Sequence, residues 1–314
     1  MLMVMACHAN GYVQEADLAG TAGISKLAIN QLCLVCVNVF VMISGWFGIK
    51  ASWRGTAKLL FQVLFLAMLC FVVFAVAGLP VSFKKDLLPY LLFGSGYWFV
   101  VSYLILYTLS PVLNAFVEHA PKKEFGWVLV AFFSAEFIFG YLLDVGSFHN
   151  GFSALFFIGL YLLAQYIRRY PGRLFVFSKW ADLSIYAGVS FLSAIGFWLG
   201  YKWFGMGFHL NHYDSPLALI AALYFLLFFS KLSIQSNTIN RLAVSAFAIY
   251  LIHTNSLVYP YFRLCSTYIM ENHTLAGAVG IMLVFLITIA IVCIVIDKLR
   301  LLVWQSLLPL FNHK

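Results

Sequence analysis

The stretch Leu275-Ala-Gly-Ala-Val-Gly-Ile-Met-Leu-Val-Phe-Leu-Ile-Thr-Ile-Ala-Ile-Val-Cys-Ile-Val-Ile296 runs for 22 residues without a charged side chain. A bilayer core is spanned by about 20 apolar residues in a helix, the form in which lipid-immersed backbone satisfies its own hydrogen bonds. Working outward, similar segments read near Leu27–Phe47, Leu59–Gly78, Phe99–Phe116, Phe125–Leu143, Phe152–Ile167, Leu183–Tyr201, Leu217–Phe229 and Leu242–Tyr261. Phe152–Ile167 and Leu217–Phe229 are short for a span. With 63% of residues from the set AVILMFWYC and only 10% charged, against about 25% charged in soluble domains, a water-soluble globule is excluded. Disorder, which needs low hydrophobicity, is excluded too, and 6 cysteines in 314 residues are too sparse for a disulfide scaffold. The expected fold is an all-α polytopic transmembrane bundle, a single domain over residues 1–314. It has room for about ten spans, the first of them truncated to the apolar stub Met1–Cys7.

With that stub counted as a span that starts inside, the Lys and Arg residues divide 14 inside to 5 outside. The positive-inside rule then places both termini in the cytoplasm. The net charge of +8 is mainly a topology signal, and its scatter over short loops argues against a nucleic-acid partner. No cleavable signal peptide is expected at Met1–Cys7, which lacks a charged n-region. No internal repeat is visible, which weakens a transporter reading. Lys298–Phe311, with Trp304 among leucines, reads as a short amphipathic helix at the inner interface.

Ionisable groups inside spans are the first functional candidates, because a charge in lipid is expensive. They are His8, directly after the stub, Glu136 in the middle of Phe125–Leu143, and His253 in the middle of Leu242–Tyr261. Glu136 reads either as a functional carboxylate or as one hydrogen-bonded to a neighbouring helix. His149, His209, His212 and Asp214 fall in outer loops. His209 and His212 have the spacing of a metal pair, but no further ligand accompanies them, so no metal is expected. Cys33-x-x-Cys36 lies inside a span and reads as packing rather than redox chemistry, and Gly196-x-x-x-Gly200 as a site of close helix approach. Along Tyr97-Trp98-Phe99-Val-Val-Ser-Tyr103-Leu-Ile-Leu-Tyr107-Thr-Leu-Ser-Pro111-Val-Leu-Asn114, the residues Phe99, Tyr103, Tyr107 and Pro111 recur every four positions. They make one aromatic, polar-tipped helix face, suited to lining a pocket or to packing. Lys50, Arg54 and Lys58, also four apart, would form one basic stripe on a helix, either for lipid phosphates or for a phosphorylated cytosolic donor.

Several segments in order resemble the acyltransferase 3 family of integral membrane acyltransferases. Met1-Leu-Met-Val-Met-Ala-Cys-His8 looks like the end of its first helix, and Phe40-Val-Met-Ile-Ser44-Gly45-Trp46-Phe47 like its S-G segment. Tyr97 to Asn114 is similar to its Y-W-F…S-P-x-L-N signature, and Gly159-Leu-Tyr161-Leu-Leu-Ala-Gln165-Tyr166-Ile-Arg168-Arg169-Tyr170 to its L-Y-L…Y-I-R segment. Tyr213-Asp-Ser215-Pro216 and Ser245-Ala-Phe247-Ala-Ile-Tyr250-Leu-Ile-His253 look like its last motifs. The resemblance implies transfer of an acyl group, commonly acetyl from acetyl-CoA, to hydroxyls of a cell-surface glycan or lipid-linked sugar in the bacterial inner membrane, with no bound cofactor. It implies that His8 is the catalytic histidine of an Arg-x10-His pattern whose Arg would lie upstream of Met1. The family's second basic motif, two Arg separated by two residues, is replaced by Lys50, Arg54 and Lys58, which take over the expected role of binding CoA. His253 and Glu136 are expected to assist, and Trp98, Tyr103, Tyr107 and Asn114 to line the pocket. The rival readings are a transporter or flippase for a polysaccharide precursor, and a scaffold subunit of a polysaccharide assembly complex.

Overall fold

The computed structural model describes residues 1–11, 21–92, 97–146 and 148–307. Among them every regular element is a helix. In chain order these are α1 (Leu2–Asn10), α2 (Thr21–Cys33), α3 (Cys36–Phe47), α4 (Trp53–Val76), α5 (Leu88–Leu91), α6 (Trp98–His119), α7 (Lys122–Ala135), α8 (Ala154–Arg169), α9 (Lys179–Phe204), α10 (Pro216–Ser230), α11 (Asn237–Ala243), α12 (Ala246–His253), α13 (Tyr259–Asn272) and α14 (Leu275–Leu307). Six stretches are long and apolar enough to cross a membrane: Gly23–Phe47, Trp53–Val76, Trp98–His119, Lys122–Leu142, Lys179–Phe204 and Leu275–Leu307. The two short expected spans are the 16-residue α8 and the 15-residue α10. Large apolar side chains such as Val284, Ile291 and Val295 stand exposed along α14, as befits a helix that is apolar all round and meets lipid. The fold is that of an all-α helical membrane protein.

The helices group into two compact units. The first comprises Met1–Tyr12, Ser52–Trp98 and Gln235–Lys314, the second Val13–Ala51 and Phe99–Ile234. In the first unit α12 packs on α4 and α14, and α1 lies against α12, α13 and α14. In the second, α9 packs on α2 and α10, and α8 on α3 and α7. Gly45 permits the α3–α8 contact: a Cβ there would lie 2.4 Å from the Tyr161 carbonyl oxygen.

Several expectations need correction. Leu242–Tyr261 is not one span but is broken into α11, α12 and α13. Pro260 sits in the first turn of α13, where its missing N–H costs nothing but could not continue α12. In the turn between them Asn255 and Leu257 are buried and the backbone is satisfied by protein groups: Tyr90 Oη accepts from the Ser256 N–H at 2.7 Å, Asn255 Oδ1 accepts from the Leu257 N–H at 3.1 Å, and Tyr97 Oη donates to the Leu251 carbonyl at 2.5 Å. Irregular backbone at such depth is tolerated only inside protein. Residues 298–307 continue α14 instead of forming a separate interfacial helix, and Leu308–Phe311 lies outside the described residues. Arg300, counted among the inner cations, is buried in α14 and forms a bidentate pair with Asp297, which Gln62 also contacts at 3.3 Å. Cys33 ends α2 and Cys36 begins α3, both buried. Gly200 packs on the following loop, its absent Cβ lying 2.7 Å from the Met206 carbonyl.

The Ser110-Pro111 step of α6 shows local compensation. Pro111 cannot donate to the Tyr107 carbonyl four residues back, and Ser110 Oγ donates to that carbonyl instead, at 2.7 Å.

Candidate functional site

In the first unit, α1 runs past Cys7 to Asn10, so His8 stands in its last turn instead of following the helix. His253 ends α12. Its Nδ1 lies 2.5 Å from the Ile249 carbonyl oxygen, and since a carbonyl only accepts, Nδ1 carries the hydrogen. A neutral His253 therefore presents an unprotonated Nε2, which lies 2.9 Å from His8 Nδ1. His8 Nδ1–H donates to it, and the lone pair of His8 falls on Nε2. The partners thus assign both tautomers. Arg263, expected only as an outer-loop cation, lies in α13 and donates from Nη1 to the His8 carbonyl at 2.8 Å and to the Ala9 carbonyl at 2.5 Å. It caps the orphan carbonyls of α1 and holds the backbone of His8. No spacing in the sequence marks this contact. Tyr259 meets the His8 ring edge-on at 6.0 Å.

In the second unit, Asn114 is a junction. Its Nδ2 donates to the Ile49 carbonyl at 2.8 Å, and its Oδ1 accepts from Tyr161 Oη at 2.5 Å and from Gln165 Nε2 at 3.1 Å. Tyr161 Oη in turn accepts from the Ile49 N–H at 3.0 Å. This clamp fixes the Gly48–Lys50 segment beside a cavity of about 260 Å³ lined by Lys50, Asn114, Gln165 and Arg169 together with Phe47, Gly48, Ile49, Val117 and Glu118. Arg169 also donates to the Val117 and Glu118 carbonyls at the end of α6, and Arg168 to the Trp46 carbonyl. Of the expected donor-site cations, Lys50 lines this cavity. Arg54 and Lys58 lie exposed on the first turns of α4, in the other unit. Lys50 precedes α4, so the three do not form a stripe on one helix.

Of the expected pocket-lining residues, Asn114 lines the cavity. Tyr103 Oη instead shares a hydrogen bond with Ser44 Oγ at 3.0 Å, and its ring stacks on Phe99. Tyr107 is half-buried and does not line that cavity, and Trp98 opens α6, half-buried, at the edge of the first unit. The residues missed by the sequence reading, Tyr161, Gln165 and Arg169, all stand in the quoted segment Gly159–Tyr170. Its value as a site signal lay in the four-residue step from Tyr161 through Gln165 to Arg169, which puts all three on one helix face.

Glu136 begins a π-helical turn, Glu136–Leu142, that continues α7. It is 3% exposed, and among the described residues neither carboxylate oxygen has a hydrogen-bond partner, so of its two readings the bond to a neighbouring helix is not the one seen. Asp214, just before α10, is 6% exposed and equally unpartnered. Burial pushes its carboxyl up to about 6, with smaller effects from its own backbone N–H, His209 and Asp144. His209 and His212 stack at 4.7 Å, His209 Nδ1–H donates to the Tyr141 carbonyl at 3.0 Å, and burial holds His212 below the usual histidine range. Among the described residues no group of three His, Cys, Asp or Glu is placed to hold a metal ion.

No curated relative and no solved structure matches the chain. The sequence model of the acyltransferase 3 family, described as an acyltransferase domain, matches residues 1–297, which take in both units' helices, the histidine pair and the Lys50–Arg169 cavity. The chain belongs to the acyltransferase 3 family of acyltransferases.

Proposed function

We propose that this protein is a membrane-bound O-acyltransferase that moves acetyl from cytosolic acetyl-CoA to a hydroxyl of a cell-surface or lipid-linked sugar in the bacterial inner membrane. The observation that carries the reading is the 2.9 Å contact between His8 Nδ1 and His253 Nε2. It leaves His8 Nε2 as the basic nitrogen and gives the imidazole a hydrogen-bond acceptor that steadies it as positive charge develops, the logic of an oriented general base. As the sugar oxygen attacks the thioester carbonyl, His8 Nε2 takes the hydroxyl proton. The new C–O bond forms, the C–S bond breaks, and the departing thiolate takes the proton from His8. In the covalent variant, Nε2 attacks the carbonyl first and expels the thiolate; the hydroxyl oxygen then takes the acyl group, the C–N bond breaks to restore the neutral imidazole, and the hydroxyl proton ends on the thiolate. Both routes use the same nitrogen.

The donor's anionic phosphates suit the cavity that Lys50 and Arg169 line, which is sized for part of CoA. Arg provides a forked donor and Lys a point charge. The division of cations into 14 and 5 supports placing that cavity on the cytoplasmic side. Purified protein given acetyl-CoA and a surface-glycan fraction is expected to release CoA thiol and leave base-labile acetyl esters on the glycan. Solute movement across proteoliposomes with no consumption of acetyl-CoA would replace this reading with a transporter.

A further inference from the structure

Glu136 and Asp214 play no part in the chemistry assigned to His8. Both lie in the second unit, both are more than nine-tenths buried, and among the described residues none of their four carboxylate oxygens has a hydrogen-bond partner. They face one gap. A Cβ built on Gly140 would lie 3.1 Å from Asp214 Oδ2, 3.4 Å from Glu136 Oε2 and 3.2 Å from Phe148 Cβ, so one oxygen of each carboxylate borders the same point beside Gly140. We propose that Glu136 and Asp214 form a buried site for one small monovalent cation, a proton or a sodium ion.

Electrostatics requires a positive charge there. An isolated buried carboxylate is costly, and two of like charge cannot both stay ionised in low dielectric without compensation. Elsewhere this chain meets the same need with a basic side chain: Asp182 with Lys231, and Asp297 with Arg300. Among the described residues no lysine or arginine pairs with Glu136 or Asp214. The titratable groups of this region are Tyr141, Asp144, His209 and His212. The two imidazoles stack on each other, and His209 Nδ1–H is spent on the Tyr141 carbonyl. Among the described residues no group of three His, Cys, Asp or Glu is placed to hold a multivalent metal ion. The surroundings are built for constraint: all four non-glycine residues with positive φ among the described residues, Asp144, Asn150, Phe208 and His209, lie in the two connections beside this pair. The π-helical turn that carries Glu136 and Gly140 is a feature often found at functional sites.

The two sources separate in one set of measurements on the full chain in detergent. Infrared spectra would be recorded over a pH series, in sodium chloride and in choline chloride, for the wild type, Glu136→Gln, Asp214→Asn and Gly140→Ala. A bound proton gives a protonated-carboxyl band at mildly acidic to neutral pH that both carboxylate variants lose and that Gly140→Ala keeps. A bound sodium ion gives no such band, a rise in thermal midpoint in sodium over choline, and loss of that rise in all three variants, because the added methyl fills the gap. A wild type with neither the band nor the sodium response overturns the proposal, as does either signal persisting unchanged in both Glu136→Gln and Asp214→Asn. Midpoints in choline chloride identify any variant that fails to fold, and Gly140→Ala, which keeps both carboxylates, preserves the distinction if one does.

Discussion

The first unit holds a pair of histidines and the second a pair of carboxylates, both taken from positions far apart in the chain, with His8 half-buried and His253, Glu136 and Asp214 buried, yet they are finished differently. His253 is bonded on both ring nitrogens, to Ile249 and to His8, and Arg263 secures the backbone of His8. Among the described residues the carboxylates of Glu136 and Asp214 have no hydrogen-bond partner. A completed chain of hydrogen bonds selects one tautomer and points one lone pair outward, which is what a proton-transfer group requires. An incomplete pair is stable only if something else supplies its missing charge. One pair is organised to act on a substrate, the other to hold an ion.

The comparison breaks most visibly at His8. His8→Ala is expected to lower acyl transfer by about 10²–10⁴-fold, the range of a lost general base, with the protein still folded. His253→Ala, which removes a positioning acceptor, is expected to cost roughly tenfold to a hundredfold in kcat, the worth of a hydrogen bond to a developing charge. KM should hold, the pH profile should shift, and His253→Gln, whose amide oxygen can accept from His8 Nδ1–H, should recover part of the rate. An unaltered pH profile in His253→Ala would reduce that residue to packing. Arg169→Gln is expected to raise KM for acetyl-CoA by about tenfold with little change in kcat, as for loss of a charge-assisted contact. Equal loss in kcat would instead implicate the α6 carbonyls that Arg169 holds.

The smallest expected effect is on stability. The Asp214 carboxyl is raised from 3.8 to about 6, so the folded state binds more protons than the unfolded state between those values. Stability therefore falls as pH rises through that window and levels off above it. Asp214→Asn should flatten this part of the curve, as read from thermal midpoints across pH. An identical slope in the variant would mean that other groups set it.

How far the sequence foretold this arrangement depends on the range of the interaction. The apolar runs that became α4, α6, α9 and α14 were legible, because a span has to be long and apolar whatever surrounds it. Leu242–Tyr261 was not, because the break after His253 is held by Tyr90 and Tyr97, more than 150 positions away, and composition alone does not disclose such partners. His8 and His253 stood out as ionisable groups in apolar segments, yet their contact spans 245 positions. Lys50, Arg54 and Lys58 misled for a local reason: four-residue spacing implies one face only when all three residues are helical, and Lys50 lies before Trp53, where α4 starts. Glu136 was visible by its cost, whereas Asp214 looked like an ordinary loop acid until the fold buried it beside Gly140.

The central claim is that His8 Nε2 moves the proton, or carries the acyl group, in acyl transfer. Its most direct test is the O-acetyl content of the surface glycan from cells whose only copy of this gene carries His8→Ala, with protein level matched to the wild type. The acetyl esters present with the wild-type chain are expected to be lost; an unchanged acetyl content would rule out this role for His8.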